Sequence, residues 1–154
     1  MRWNAVVQPN DDVFVLGDFA MGKGWQEVVE VVLAQMSGRK VLVKGNHDKA
    51  DSSMKKLGFA EVVPFGVVKI KDRTFKMSHY PYAPETPDED DRFLDRRLRD
   101  DGHWLLHGHV HCAWKVRRRM LNVGCDVHEF QPISEKQITA IVEASEALYR
   151  IDRI

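Results

Sequence analysis

The stretch Leu105-Leu106-His107-Gly108-His109-Val110-His111 places three histidines at alternate positions after two apolar residues. Alternate side chains of an extended segment leave the backbone on the same face. We therefore expect His109 and His111 to point together at one metal ion or at two adjacent ions. Gly108 suits a strand end that turns sharply, because glycine tolerates positive φ. A chance cluster of histidines on a solvated loop is the alternative interpretation.

Three other apolar runs are also followed by polar residues that can bind a ligand. Residues 13–16 lead to Gly17-Asp18, residues 41–43 to Gly45-Asn46-His47-Asp48, and residues 73–77 to Ser78-His79. Between the first two runs, apolar residues at intervals of three and four predict an amphipathic helix over residues 25–36. Strand, helix and strand with short connections form a βαβ unit. Its geometry brings Asp18 and Asn46 to the carboxyl edge of the sheet, where such folds bind ligands.

The rest of the chain continues the α/β pattern. Residues 61–70 and 73–77 are predicted strands around a turn, and residues 113–117 and 120–123 are predicted to form a hairpin. Ser134 and Gln137 form a capping box, which predicts the start of a final helix. No repeat or linker divides the 154 residues, so we expect a single domain over residues 1–154.

Composition excludes several classes of protein. The chain has 23 basic and 23 acidic residues, so no net charge attracts it to nucleic acid or to a membrane. No apolar run is long enough to span a membrane, and no secretory signal is evident at the N-terminus. Cys112 and Cys125 are too few for a disulfide framework and lack the spacing of zinc-binding pairs. We expect a reduced, cytoplasmic protein without membrane partners.

The four strand ends combine a carboxylate, an amide carbonyl and imidazoles. This mixture suits Mn²⁺, Fe, Zn²⁺ or Ni²⁺ better than Ca²⁺, which prefers oxygen ligands alone. A carboxylate can bridge two ions, and ions about 3.5–4 Å apart stabilise the attacking and leaving oxygens of phosphoester cleavage. We therefore expect one or two divalent ions per chain as cofactors.

The ordered set Gly-Asp, Gly-Asn-His-Asp, a lone histidine and Gly-His-x-His resembles the calcineurin-like metallophosphoesterase superfamily. The closest similarity is to small bacterial and phage members, through the variants Gly17-Asp18-Phe19, Ser78-His79-Tyr80-Pro81 and Asn122-Val123-Gly124-Cys125-Asp126. The resemblance covers nearly the whole chain. It implies an α/β fold with a four-layer α/β/β/α sandwich of mixed sheets and a dinuclear metal site.

The resemblance also implies a role for each motif residue. By position, Asp18 resembles the ligand that bridges the two ions. Asn46, His79 and His109 resemble the other protein ligands of the second metal site, and His111 resembles a ligand of the first.

Two further residues resemble the family's catalytic pair. His47 corresponds to the histidine that steadies the phosphate and can protonate the leaving oxygen, and Asp48 corresponds to its orienting partner. The resemblance thus implies metal-dependent hydrolysis of a small phosphoester or nucleotide by metal-activated hydroxide, with diesters favoured over monoesters. The alternative is a degenerate, non-catalytic member that binds a metal or a phosphate ligand and acts through a partner.

One family motif does not occur. The family begins with a strand ending in Asp-x-His, and no such motif precedes Asp18; Asp11 and Asp12 lie at the opposite end of their strand. Trp3, Val6 and Val7 have the spacing of a helix, which is typical either of the last turn of a longer helix or of a frayed terminal turn. We expect a chain without the family's first strand, an exposed sheet edge beside residues 13–16, and self-association through that edge.

The remaining candidates are less specific. His107 is expected to be a buried histidine or one that contacts a metal ligand without binding the ion itself. Asp126 lies just past a strand end and could border the site, while Tyr80 and Tyr82 could line the substrate cleft or simply pack.

Overall fold

The computed structural model describes residues 2–84 and 92–151. In these residues the chain has a mixed α/β fold with two β-sheets and three α-helices. The helices are α1 (Trp25–Gln35), α2 (Asp51–Lys56) and α3 (Glu135–Ile151). Short 3-10 helices cover Trp3–Ala5, Leu94–Arg96 and Cys125–Val127. Within the described residues, the helices lack the length and apolar character that a membrane crossing requires.

The first sheet contains three parallel strands, β1 (Asp12–Val15), β2 (Arg39–Val43) and β3 (Glu61–Val63), in that order. Phe14 lies beside Val41, and α1 connects the two strands. The predicted βαβ unit is therefore confirmed, and β1 and β2 end at the same edge of the sheet.

The second sheet is mixed and has the strand order β4-β5-β6-β8-β7. Its strands are β4 (Gly66–Ile70), β5 (Arg73–Met77), β6 (Trp104–His107), β7 (Val116–Arg117) and β8 (Met120–Asn122). Strands β5, β6 and β8 are parallel, whereas β4 and β7 run antiparallel to their neighbours. The predicted hairpin is confirmed in shortened form, as β7 and β8.

The single strand predicted over residues 61–70 is wrong, because the chain changes sheets within it. Strand β3 pairs with β2 in the first sheet, and β4 pairs with β5 in the second. Pro64 and Phe65 lie between them. Proline has no N–H to donate to a strand ladder, so it ends β3 and allows the change of direction.

Side chains on both faces of β2 are buried, and they belong to two different apolar clusters. Leu42 packs with residues of α1 and α2, including Leu33 and Met54. Its neighbour Val43 belongs to a cluster with residues of the second sheet and α3, among them Phe75, Trp104, Leu106, Leu121, Ile138 and Val142. Because successive side chains of a strand alternate between faces, the first sheet packs against helices on one face and shares a core with the second sheet on the other.

The N-terminal segment packs against the end of α1. It forms one 3-10 turn, in which the Trp3 indole N–H donates to the Ser37 carbonyl at 3.0 Å. The Asn4 side chain accepts from the Ser37 N–H and donates to the Gln35 carbonyl. Among the described strands, β1 pairs only with β2, and self-association through its other edge stays a prediction.

We predict that α1 contributes to stability through one face. Replacement of Leu33, which is 1% exposed, by alanine leaves a cavity between α1 and β2 and should lower the free energy of unfolding by about 2–5 kcal/mol. Val31 lies on the same helix but is 59% exposed, so Val31→Ala should change this free energy by less than about 0.5 kcal/mol. Urea denaturation of both variants measures the difference, and equal losses would contradict this packing.

Candidate metal centre

Four loops that follow parallel strands supply the candidate residues. The loops after β1 and β2 approach so closely that side chains are excluded at two positions. A Cβ atom at Gly17, where φ is +83°, would lie 2.7 Å from the Gly45 backbone and would overlap His79 Nδ1. A Cβ atom at Gly45 would overlap the Asp18 carboxylate. Glycine at both positions therefore lets the backbone of one loop lie against the side chains of the other.

The Asp48 carboxylate connects these two loops. One of its oxygens accepts hydrogen bonds from the Asp18 N–H at 2.9 Å and the Gly45 N–H at 2.8 Å, and the other accepts from the Phe19 N–H at 3.1 Å. Hydrogen bonds to an ionised acceptor are stronger than those between neutral groups. The three bonds hold Asp18 with a φ of +51°, a left-handed conformation that is uncommon outside glycine.

Both oxygens of the Asp18 carboxylate have defined neighbours. Oδ1 accepts from the His47 backbone N–H at 2.8 Å, and Oδ2 lies 3.2 Å from His79 Nε2. Burial alone would raise the pKa of this carboxyl group. The hydrogen bonds from His79 and the His47 N–H, together with the charges of the two histidines, outweigh burial and place the pKa below its ordinary value. The side chain is therefore an anion at neutral pH.

His79 is buried, and the backbone determines its tautomer. Its Nδ1 lies 2.7 Å from the Leu16 carbonyl oxygen, which can only accept, so Nδ1 carries a proton and donates it. Its Nε2 lies 3.2 Å from Asp18 Oδ2 and 3.1 Å from His109 Nδ1. A protonated Nε2 donates to the carboxylate, whereas an unprotonated Nε2 offers its lone pair to a metal ion. Metal-binding histidines usually donate the N–H of their other ring nitrogen to a carbonyl or carboxylate, which fixes the orientation of the ring.

The cluster of Asp18, His79 and His109 could hold a metal ion. One ligand atom from each residue lies within 4.8 Å of the others. Two ligands about 2.1 Å from one ion are roughly 3.0 Å apart in octahedral and roughly 3.4 Å apart in tetrahedral coordination. The separations of 3.1 and 3.2 Å fit this range. A lone pair of neutral His79 facing a carboxylate at this distance is repulsive unless a proton or a metal ion lies between them.

Asn46 contributes a further acceptor in the loop that holds Asp18. Its side-chain oxygen is buried and has no hydrogen-bond partner within the described residues. A buried carbonyl without a partner costs about 1–3 kcal/mol, and a cation would remove this cost. The donor set of the loops, with one carboxylate, one amide oxygen and two imidazoles, fits a divalent ion of intermediate character.

The structure separates His111 from this cluster. Strand β6 ends at His107, and φ is positive at His109 and His111, so the extended segment predicted over residues 105–111 is wrong beyond its first three residues. The positive φ values fall on His109 and His111 rather than on Gly108, where a sharp turn is predicted, and of the two histidines only His109 lies in the cluster with Asp18 and His79. The His111 side chain is 76% exposed, and its Nδ1 lies 3.5 Å from Asp126 Oδ2.

The predicted catalytic pair lies beside the centre. His47 is exposed, and its backbone N–H is the group that bonds to Asp18. The hydrogen bonds of the Asp48 carboxylate go to backbone amides of the two loops, which is a different use from the predicted orientation of the His47 ring. Asp48 thus positions the centre by holding its backbone.

The rings of Tyr80 and Phe93 lie close to the His109 ring. Its ring centroid lies 5.1 Å from that of Tyr80 and 5.8 Å from that of Phe93. Sequence reasoning left the role of Tyr80 open and missed Phe93, which no motif marks. The Tyr82 hydroxyl instead donates a hydrogen bond to the His103 carbonyl at 3.1 Å, so Tyr82 has a structural role.

His107 is fully buried, as expected, and packs on the Trp114 ring with centroids 4.6 Å apart. Its Nδ1 donates to the Gly108 carbonyl at 2.8 Å. Burial lowers the pKa of His107 to about 4, so the ring is neutral at neutral pH.

Comparisons with known proteins give chains that are similar in sequence. The Gene 66 protein of Mycobacterium phage L5 is 32% identical to this chain, over 80% of this chain and 70% of its own length. The uncharacterized protein MJ1445 of Methanocaldococcus jannaschii is 27% identical, over 98% of this chain and 77% of its own length. No protein-family model matches the sequence.

A solved structure supports the mixed α/β fold. The crystal structure of the protein of unknown function AQ665 from Aquifex aeolicus superimposes with a TM-score of 0.68 at 28% sequence identity. The superposition covers 91% of this chain and 81% of the other. These likenesses establish relatives and fold, so the activity has to be argued from the chemistry of the site.

We predict that the cluster binds one divalent ion tightly. Asp18→Ala and His109→Ala should each weaken binding of Mn²⁺ by more than about 100-fold, because loss of even a supporting residue costs 10–100-fold in metal affinity. The control His103→Ala removes an exposed histidine whose partner is Asp101, and its affinity should match that of the parent. Calorimetric titration measures the affinity, and metal analysis measures the stoichiometry. Parental stoichiometry in Asp18→Ala and His109→Ala would refute the ligand assignment.

Proposed function

The chain belongs to the family of the Gene 66 protein of Mycobacterium phage L5, and we propose that it is a metal-dependent phosphoesterase of the calcineurin-like type. The order and spacing of its four motifs support this proposal. The proposed reaction is hydrolysis of a phosphoester, with diesters favoured over monoesters and a small phosphoester or nucleotide as the substrate.

The observation that carries the proposal is the meeting of metal-ligating side chains from separate strand ends. His79 Nε2 lies 3.2 Å from the Asp18 carboxylate and 3.1 Å from His109 Nδ1, and the Asn46 carbonyl oxygen lacks a partner in the described part of the chain. A carboxylate, two imidazoles and an amide oxygen are groups that a divalent cation can bind. In the proposed enzyme these four residues hold one divalent ion, and Mn, Fe, Zn and Ni all suit them.

The proposal includes the four-layer α/β/β/α arrangement that accompanies such sites. Leu42 packs with α1 and α2 on one face of the first sheet, and Val43 shares a core with the second sheet on the other. Ile138 and Val142 of α3 belong to the same core as the second sheet, which supports a helical layer next to that sheet.

The proposed chemistry assigns different tasks to the residues of the site. A bound divalent ion would acidify water and neutralise charge on the phosphoryl group. Asp18 and His79 are held in place by Asp48 and the Leu16 carbonyl, so little reorganisation is needed when charge develops. The exposed His47 imidazole would hold a proton for the leaving oxygen. His111 and Asp126, 3.5 Å apart, offer an imidazole and a carboxylate to a second ion.

Hydrolysis of bis(p-nitrophenyl) phosphate with added Mn²⁺ tests the proposed function. The parent chain should release p-nitrophenol, and Asp18→Asn and His109→Ala should lower kcat/KM by at least about 100-fold, since each removes a group that holds the ion. His103→Ala is the matched control and should retain parental activity. A chain that binds Mn²⁺ through the cluster but hydrolyses neither aryl diesters nor monoesters would favour the non-catalytic alternative.

The proposed acid role of His47 makes a separate prediction. His47→Ala should leave metal content unchanged and lower kcat by about 10²–10⁴-fold for diesters with alkyl leaving groups. The loss should be smaller for p-nitrophenyl esters, because a good leaving group needs less protonation. Measuring bound metal in the variant, and kcat with both kinds of ester, checks this prediction. An equal loss of kcat for good and poor leaving groups would disprove the acid role.

A further inference from the structure

An open cavity of about 380 Å³ lies between the N-terminal end of α1 and the length of α2. Its apolar lining comes from Trp25, Ala50 and Leu57. The volume is within the range of cavities that hold small ligands. Among the described residues, the lining includes Lys49 and Ala50, which directly follow Asp48, so the loop that positions the metal centre continues into the wall of the cavity.

The polar residues of the cavity are hydrogen-bond donors or cations. Lys49, Lys56, Ser53 and Gln26 line it, and the part of the lining formed by described residues contains no carboxylate. Within the described residues, neither Lys49 nor Lys56 forms an ion pair, whereas nearby Lys44 is paired with Asp51 at 2.7 Å. Two unpaired ammonium groups beside one cavity favour an anionic ligand.

The N-terminus of α1 adds an independent feature. Its N-cap residue, Gly24, has a φ of +68° and provides no side-chain cap, so the first-turn amides lack a capping side chain. Trp25 and Gln26 belong to this first turn and also line the cavity. Uncapped N–H groups at the start of an α-helix attract phosphate groups.

We propose that this cavity binds a nucleotide, with the ring against the apolar lining and the phosphate at the two lysines. This inference deepens the proposed function and rests on it, because the bound nucleotide would be part of the phosphoester substrate. A nucleotide would use both features of the cavity, the apolar surface for its ring and the lysines for its phosphate. A free anion would use only the lysines, and a purely apolar ligand would use only the apolar surface.

The test is calorimetric titration of the full chain, treated with chelator, with thymidine 5′-monophosphate, thymidine and inorganic phosphate. Without divalent ions, binding reports on the cavity rather than on the metal centre. Thymidine 5′-monophosphate should bind at least about tenfold more tightly than either fragment, because it uses both parts of the cavity. Equal binding of the nucleotide and either fragment, or no binding at all, would overturn the proposal.

Matched lysine variants connect the binding to the cavity. The double variant Lys49→Gln with Lys56→Gln should weaken binding of thymidine 5′-monophosphate by about tenfold or more, whereas binding of thymidine should change little. Lys55→Gln is the control, since Lys55 is adjacent on α2 but does not line the cavity. Equal effects of the control and the double variant would also overturn the proposal.

The two proposals can fail separately. If the chain binds the nucleotide through Lys49 and Lys56 but hydrolyses no phosphoester, the nucleotide site is supported and the phosphoesterase function is contradicted. If the chain hydrolyses aryl diesters but binds thymidine 5′-monophosphate no more tightly than thymidine, only the nucleotide site is contradicted.

Discussion

The contact between the loops after β1 and β2 is the constraint on which the candidate centre depends. Asp48 accepts hydrogen bonds from the backbone N–H groups of Asp18, Phe19 and Gly45, and the glycines at positions 17 and 45 leave room for this approach. Without it, Asp18 would have neither its left-handed backbone conformation nor its place against His79. One carboxylate thus determines the position of another.

The second consequence of this contact is electrostatic. Asp18, His79 and His109 bring one carboxylate and two imidazoles within 4.8 Å of one another, and taking such polar groups out of water costs free energy unless they are paired. The buried core and the parallel strands keep the backbone in place despite this cost. A bound cation would pair with these groups and lower this cost. The Leu16 carbonyl contributes by holding the proton of His79 on Nδ1, away from the cluster.

The loop of residues 45–50 joins two surfaces with different chemistry. Its first part holds the acceptors that favour a cation, and its last part, with Lys49, contributes a cation to the neighbouring cavity. A phosphorylated ligand has the opposite charge to both a metal ion and a lysine. In the proposed phosphoesterase, the two ends of this loop would therefore each attract an anionic group, one through the bound ion and one through Lys49.

The sequence by itself determined the elements that depend on local periodicity. The apolar runs before Asp18 and Asn46, and the spacing of apolar residues along α1, were sufficient for the βαβ unit, because these patterns report burial of one or both faces. Glycine and polar residues at strand ends also indicated Asp18, His79 and His109 as neighbours, and the structure brings these three together. Only the tertiary structure decided the change of sheet at Pro64, the separation of His111 from His109, and the use of Asp48. Each of these depends on backbone dihedral angles and on contacts between distant loops, which side-chain alternation along one strand does not encode.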